Sequence, residues 1–399
     1  MIFDAIVVGS GPAGATVASL LAQAGWSVAI VEKKTFPRRK VCGEFISATN
    51  LPLLQKLGIA DFYLTQGGPE IRRVGLFAAD ALLSSVMPPL DHAVNHWGRA
   101  LGREHLDSAL LNIAVRSGAK LWQPWDLKTV RRTGDIFTCA ITSDGNTEEI
   151  SGRTLIMAHG SWERNIIQPQ NNYPHKKSDL LAFKAHFKHS DLDNDLMPLI
   201  AFPGGYGGLV HTDNGRITLS CCIRRDVLQK IRQRYSGLSL SAAEAVLKHI
   251  QSSCLGVQQV LMHAERDGDW LAVGPIRPGI RQCYADGIFY AGNIAGESHP
   301  IIAEGISMAM QSAWLLSQNL LTHADKTLAG KNYTTQWRAT FAKRIHAASL
   351  FSQLAMRPSA VKIILPLLKK FPGILTFGAK LSGKITSIQS ISIEKEIAI

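Results

Sequence analysis

The sequence predicts a mixed α/β protein, α+β overall. A parallel βαβ layer is split by an inserted mixed or antiparallel β-sheet domain and followed by C-terminal helices. Three observations carry this expectation. Ile2–Val8 is a short β-branched run that stops at a glycine-rich turn, as a strand buried on both faces does. A second strand and glycine turn, at 287–296, precede a long apolar helical pattern near 305–320. Between them, at about 166–285, short strand-like stretches replace the βαβ rhythm.

The elements follow in order. From Gly14 to Ala24, Val17, Leu20 and Leu21 share one helical face, and Gly25 ends the helix. Ser27–Val31 supplies the second strand and closes a βαβ unit of about 30 residues. Residues 33–50 form a basic connection containing Gly and Pro. Leu51–Leu57 and Ala100–Ser117 read as helices, and Leu121–Val130 as a strand. Ile136–Thr142 and Thr147–Ser151 flank Asp144-Gly145, a strong hairpin signal. Thr154–Ala158 reads as a further buried strand. Strands are expected near 182–188, 197–202, 207–212 and 216–223, then a helix near 239–253. Gly287–Tyr290 reads as a strand ahead of the 305–320 helix. Residues 331–385 read as helical, with prolines at 358, 366 and 372. The expected division is 1–165 (with part of the inserted domain near 60–95), 166–285, a return segment 286–325 and a helical region 326–399.

The chain has 399 residues, 46% hydrophobic and 19% charged. That suits two to three domains of about 150 residues each and excludes whole-chain disorder. No run of about 18 apolar residues predicts a membrane span, and the first apolar run lacks a basic leader. Lys plus Arg number 43 against 31 Asp plus Glu, a net charge of +12. Such a surplus favours phosphate-bearing cofactors, acidic substrates, acidic lipid or nucleic acid as partners. Cys42, Cys139, Cys221, Cys222, Cys254 and Cys283 include no C-x-x-C spacing. No metal site is therefore expected, and a reduced, cytoplasmic protein is.

Gly9-Ser10-Gly11-Pro12-Ala13-Gly14 fits G-x-G-x-x-G and stands 18 residues before Glu32, at the end of the next strand. In that strand–turn–helix context it reads as the dinucleotide fingerprint of a Rossmann-like domain. Gly9 permits the turn, Gly11 lets the backbone approach a pyrophosphate, and Gly14 lets the helix lie close to the sheet. Pro12 and Ala13 open the helix whose N-terminus meets the phosphates. Glu32 can accept hydrogen bonds from a ribose, which disfavours a 2′-phosphate there. The second turn, Ala291-Gly292-Asn293-Ile294-Ala295-Gly296, followed by Glu304-Gly305-Ile306, distinguishes FAD from NAD. Asn293 can bond a ribityl hydroxyl, and the amides near Gly305 and Ile306 suit charge at a flavin ring. Two gripping turns so far apart in sequence imply a long ligand.

On these residues the chain resembles flavoproteins of the para-hydroxybenzoate hydroxylase superfamily, in the branch of geranylgeranyl reductases, flavin-dependent halogenases and related monooxygenases. The resemblance covers roughly 2–320 and includes Arg103-x-x-Leu106-Asp107-x-x-Leu110. It implies that Arg103 reaches the FAD phosphates and that Leu127 contacts adenine through its backbone. Asn293 stands where relatives usually carry aspartate. His159, in Ala158-His159-Gly160-Ser161, replaces the aspartate of A-D-G-x-x-S, which leaves NAD(P)H or a separate reductase as electron donor.

At the chemical end, five of the eight residues from Lys33 to Lys40 are basic, and the lone Phe36 among them falls short of the aromatic interleaving that nucleic-acid binding would require. Lys33 and Arg39 are expected to complement the FAD phosphates instead. Lys40-x-Cys42-Gly43 resembles the geranylgeranyl reductase branch, in which this cysteine lies near the flavin. Gly205-Tyr206-Gly207-Gly208 resembles a cavity-lining P-x-x-Y-x-W segment that has lost its second aromatic. Cys42, Tyr206 and His299 are the candidate catalytic residues, His299 as an acid or base near neutral pH.

The resemblance implies an FAD-dependent oxidoreductase. Foremost is a monooxygenase acting through a flavin C4a-hydroperoxide on a hydrophobic aromatic or polyketide-like molecule. The alternatives are an isoprenoid double-bond reductase, a halogenase (although W-x-W-x-I-P is absent) and a non-enzymatic flavin binder. The expected substrate is small and hydrophobic. The lysines at 362, 369, 370, 380 and 384, among apolar residues, read as helices packed over the cavity or as a surface meeting acidic lipid at the inner membrane face.

Overall fold

The computed structural model describes residues 1–90, 97–161 and 174–384. In chain order it runs β1 (Ile2–Val8), α1 (Pro12–Gln23), β2 (Val28–Val31), β3 (Phe45–Ile46), α2 (Leu51–Leu57) and α3 (Ala60–Gln66). Next come β4 (Arg73–Ala78), β5 (Ala81–Val86), β6 (Arg99–Ala100), α4 (Arg103–Arg116), β7 (Lys120–Trp122), β8 (Asp126–Thr133), β9 (Ile136–Ser143) and β10 (Asn146–Met157). The middle contains β11 (Leu180–Lys188), β12 (Leu196–Phe202), β13 (Gly205–His211), β14 (Ile217–Arg224), α5 (Arg225–Arg234), α6 (Ala242–Ser253), α7 (Leu255–Val260) and β15 (Glu265–Ile276). The chain ends with β16 (Gly279–Ile280), β17 (Tyr284–Ala285), β18 (Ile288–Tyr290), β19 (Gly296–Glu297), α8 (Gly305–Thr322), α9 (Lys326–Ala355), α10 (Pro358–Lys370) and α11 (Gly373–Leu381).

Two sheets result. The first has the order β17-β18-β10-β1-β2-β7, with β8 and β9 joined through β10. β1 lies parallel to both β2 and β10, which is why Ala5, Ile6 and Val7 are fully buried and why the run is apolar without alternation. Its core takes in Val17, Leu20 and Leu21 of α1, as their common face predicts. The second sheet, β15-β11-β14-β13-β12-β4-β5, is antiparallel except where β12 meets β4. α6 and α7 pack Val246, Ile250 and Val257 against it. Ser241 caps α6 in a reciprocal bond with Glu244.

Several sequence expectations need correction. Thr147–Ser151 and Thr154–Ala158 are one strand, β10. Its first part pairs with β9 and its second with β1. Gly152 does not break it, since the missing side chain is what admits Ile6, whose Cγ1 would stand 2.7 Å from a Cβ there. Leu121–Val130 is conversely two strands, because the backbone turns at Pro124, which has no N–H to donate. The helix expected from Ala100 starts at Arg103, since Arg99 and Ala100 pair with β3. β15 opens on the charged stretch Glu265–Asp269, and α5 is dominated by charge; neither element was expected. Pro366 stays inside α10, while Phe371-Pro372 separates α10 from α11. The 165/166 division lies outside the described residues.

Candidate active site

Residues from both sheets line one cavity of about 880 Å³. One end is built from the β1–α1 turn. Gly9 has φ +95°, and a Cβ there would lie 2.6 Å from the His159 backbone, so the turn admits no side chain. Gly11 differs. A Cβ there meets only Arg103 Nη2, at 3.7 Å, which leaves an open cradle at the N-terminus of α1. No side chain caps that terminus, so its N–H groups are available to an anion. Pro12 and Ala13 line the cavity with Gly9 and Gly11. Gly14 does not. A Cβ at Gly14 would sit 1.8 Å from the Gly9 carbonyl oxygen, so its role is the close approach of helix to strand.

Arg103 opens α4 and donates two bonds to Asp107, each 2.7 Å. Burial opposes its charge, but Asp107 more than offsets this and holds the guanidinium protonated. The preceding Gly102 N–H is accepted by Asp213 at 2.5 Å, which fixes the start of α4. Glu32 also lines the cavity. Its carboxylate accepts from Ser10 N at 2.8 Å and Lys34 N at 2.9 Å, so its orientation is set before any ribose arrives. Lys33, Leu127 and Gly43 are on the wall as expected, and Lys40 and Arg38 join them. Burial, then Arg103 and Arg38, pull Lys40 down to about 8. A bound anion would reverse that pull. Arg39 is a correction. It lies outside this cavity, 3.4 Å from Glu104, with its guanidinium donating to the Asp267 carbonyl at 3.2 Å. There it ties β15 to α4.

The second turn reaches the same cavity through Asn293, Gly305 and Ile306. Gly296 does not. It pairs with β16 and leaves room for Trp337, whose ring would lie 2.3 Å from a Cβ. Asn293 Nδ2 donates to Glu297 Oε1 at 3.2 Å. This supplies a physical reason for an amide here, since an aspartate would set two carboxylates side by side. Burial pushes the Glu297 carboxyl up, against the pull of Arg281. Its Oε2 lies 3.5 Å from Arg281 Nη2, while His159 Nδ1 and Ser161 Oγ are buried without a hydrogen-bond partner among the described residues. All three residues line the cavity, so a polar ligand has atoms to meet there. Glu297 escaped notice in the sequence, although it stands between the glycine turn and Pro300. Burial and then Lys40 pull His159 down to about 4, leaving it neutral at pH 7.

The opposite end has a different chemistry. The wall given by the second sheet includes Ala182, Met197, Leu199, Leu209, Val210 and Ile276, and its lining residues carry no charge. Tyr206 and His299 meet here, phenol oxygen to Nδ1 at 3.1 Å. Burial raises the Tyr206 phenol well above its usual value. Burial also pulls His299 down to about 4. A neutral imidazole at pH 7 is a hydrogen-bond partner for Tyr206 and keeps a base's lone pair, so of its two expected roles burial disfavours the acid. Cys42 lies on the wall between the two ends and is half-buried, while the other five cysteines are buried.

A buried charge network under Cys42 was not anticipated. Glu44 Oε1 pairs with Lys184 Nζ and accepts from Arg103 N at 3.1 Å. Its Oε2 meets His186 Nε2 at 2.9 Å and Thr218 Oγ1 at 2.5 Å. Burial disfavours the Glu44 charge, yet His186 and Lys184 more than offset this, and the carboxyl titrates well below the usual range. The residue holds φ +64°, strained for anything but glycine. Glu44 N–H points at Cys42 Sγ, 3.3 Å away. The network therefore fixes the thiol. Alternating Lys184-x-His186 on β11 was the available signal, since both side chains face the same way.

The residues present fit FAD: an open pyrophosphate cradle, surrounding cations, a pre-set carboxylate at Glu32 and unpartnered polar atoms further along. Comparison with known proteins agrees. The model of the FAD binding domain family matches residues 3–345. The menaquinone reductase of Mycolicibacterium smegmatis is 23% identical over 96% of this chain and 92% of its own. The digeranylgeranylglycerophospholipid reductase 2 of Methanopyrus kandleri is 25% identical over 89% and 88%. The solved flavin-dependent brominase Bmp2 shares the fold, with a TM-score of 0.73 at 18% identity over 96% of this chain and 94% of that one.

Proposed function

Because the chain belongs to the FAD binding domain family, we propose that it is an FAD-dependent oxidoreductase that saturates a carbon–carbon double bond in an apolar, isoprenoid-like chain. The observation that carries the reading is the Cys42 thiol, half-buried on the cavity wall and locked by Glu44 between a cationic end and an uncharged one. The two reductases similar to this chain over about nine tenths of its length support it. When bound, FAD supplies two-electron transfer to the substrate.

The chain's own groups do the rest. Gly11, the α1 N-terminus, Lys40 and Arg103 would hold the pyrophosphate, and Glu32 would accept from the ribose. Asn293 and Glu297 would meet the ribityl chain, and the amides of Gly305 and Ile306 would serve the ring end. The uncharged sheet wall takes the apolar substrate and excludes water. Saturation also requires a proton on carbon. Of the proton-bearing side chains on the cavity wall, we assign this step to Cys42 and Tyr206, with His299 orienting the phenol. His159, in place of an aspartate, favours a separate reductase over NAD(P)H as electron donor.

One feature favours a second reading. A dry, uncharged wall equally serves hydroxylation of an aromatic or polyketide-like molecule, which must be shielded from water. Product mass separates the two. FAD-loaded protein with dithionite and a menaquinone or geranylgeranyl lipid, kept without oxygen, is expected to yield a product heavier by two hydrogens. Cys42→Ser is expected to slow this by at least about tenfold. A product that gains oxygen, and forms only in air, would replace reduction with hydroxylation.

A further inference from the structure

The net charge of this protein is not spread over it. Between Lys326 and Lys384 stand eleven Lys and Arg residues and no Asp or Glu. That segment forms α9, α10 and α11. α10 turns Leu365 and Leu368 inward, where they are buried, and Leu365 packs with Ala78, Ala81 and Ala201. α11 turns Leu375 and Ala379 inward against Phe45, Val74, Met197 and Val210. Of these, Phe45, Met197 and Val210 also line the cavity. The inner faces are therefore accounted for.

The outer faces are apolar as well. Ile363 and Leu367 follow helical spacing on α10, Phe371 lies at the junction, and Ile374, Phe377 and Leu381 repeat it on α11. Their exposures run from 39% at Ile374 to 77% at Ile363. Val86, on edge strand β5, is 62% exposed, and its carbonyl accepts from Thr376 of α11 at 2.6 Å. It extends the patch. Arg357, Lys362, Lys369, Lys370 and Lys380 stand among these side chains and are exposed.

We infer that α10 and α11 form a docking surface for an anionic lipid bilayer. Apolar side chains at helical spacing enter the acyl boundary while flanking lysines reach the headgroups. A second copy of the chain fits poorly, because self-pairing of this face would set five cations against five with no carboxylate between them. No helix among the described residues is long and apolar enough to cross a membrane, so contact is from one side. Because α11 packs on Met197 and Val210 of the cavity's uncharged end, docking brings that end towards the lipid. The inference goes beyond the reaction and holds for either chemistry above.

The test uses the full FAD-loaded chain and flotation with vesicles of phosphatidylcholine alone or with phosphatidylglycerol added. Binding is expected to the mixed vesicles, to weaken as salt rises, and to be slight on the neutral ones. Lys362→Gln, Lys369→Gln and Lys370→Gln together are expected to lower partitioning on the order of a hundredfold, at about fivefold per lysine. Ile363→Asp with Phe377→Asp is expected to abolish it, with the flavin spectrum unchanged. Should the aspartate variant fail to fold, the lysine variant decides. Three results would overturn the inference: no vesicle binding by the native chain, native-like binding by the variants, or a native dimer that the aspartates dissolve without any vesicle binding.

Discussion

The two ends of the cavity are built by opposite means. The cationic end comes mainly from one continuous stretch, Gly9 to Lys40, with Arg103 added from α4. Its parts are backbone turns, a helix terminus and fixed charges. The apolar end is gathered from strands β11 to β15 and from the His299 turn, and its only close polar pair named above is Tyr206 with His299. A phosphate needs the same geometry wherever it binds, so its site is compact in sequence. An apolar substrate needs only shape and dryness, which many scattered residues can supply.

The sharpest way to break this contrast lies within one turn. Gly14→Val forces a side chain into the Gly9 carbonyl, 1.8 Å from its Cβ, and is expected to prevent folding, read by circular dichroism. Gly11→Val meets only open cradle and is expected to fold but emerge without flavin absorbance. A yellow Gly11→Val protein would mean that the cationic end does not hold the pyrophosphate.

Next comes the network beneath Cys42. Lys184→Met leaves Glu44 short of its main buried cation and is expected to cost about 3–5 kcal/mol in urea unfolding. The Glu44 contribution should also depend on pH with a definite sign. Its folded-state value lies below the unfolded one, so the stabilisation is full above about pH 4.3 and is lost as pH falls below it. Lys184→Met should flatten that acid limb.

Smaller is the effect of Lys40, at about 8 in the free protein. A bound pyrophosphate favours the charged form, so FAD affinity is expected to hold below pH 8 and to weaken roughly tenfold by about pH 9. Titration of the apoprotein at both pH values measures this, and Lys40→Met should remove the dependence. The smallest change is at the apolar end. Tyr206→Phe gives up one hydrogen bond to His299 and is expected to cost about 1 kcal/mol in stability, with a larger fall in product formation.

Legibility in the sequence follows the same contrast. Gly9, Gly11 and Gly14, Glu32 and the βαβ unit could be read because turn chemistry and strand burial leave local marks. The antiparallel strands β11 to β14 were legible as short strand-like stretches. β15 was not, since its first half, Glu265–Asp269, is charged, and β10 was split at Gly152 and Arg153, where its apolar pattern pauses. Arg39 was misplaced because charge in a basic run says nothing of direction. Glu44, Lys184 and Thr218 lie far apart in sequence and become one network only after the sheet has formed. Glu297 was hidden beside Asn293, whose departure from aspartate was visible but whose cause was not.

That last contact binds two positions into a single choice. Asn293→Asp alone would bring a second carboxylate to within about 3.2 Å of the first, and one of the two would have to take a proton to stay. Glu297→Gln alone would strip the only acid from the pair. Only the exchange of both restores one acid and one amide. A swap to aspartate at 293 alone is therefore expected to be the less stable of the possible pairings.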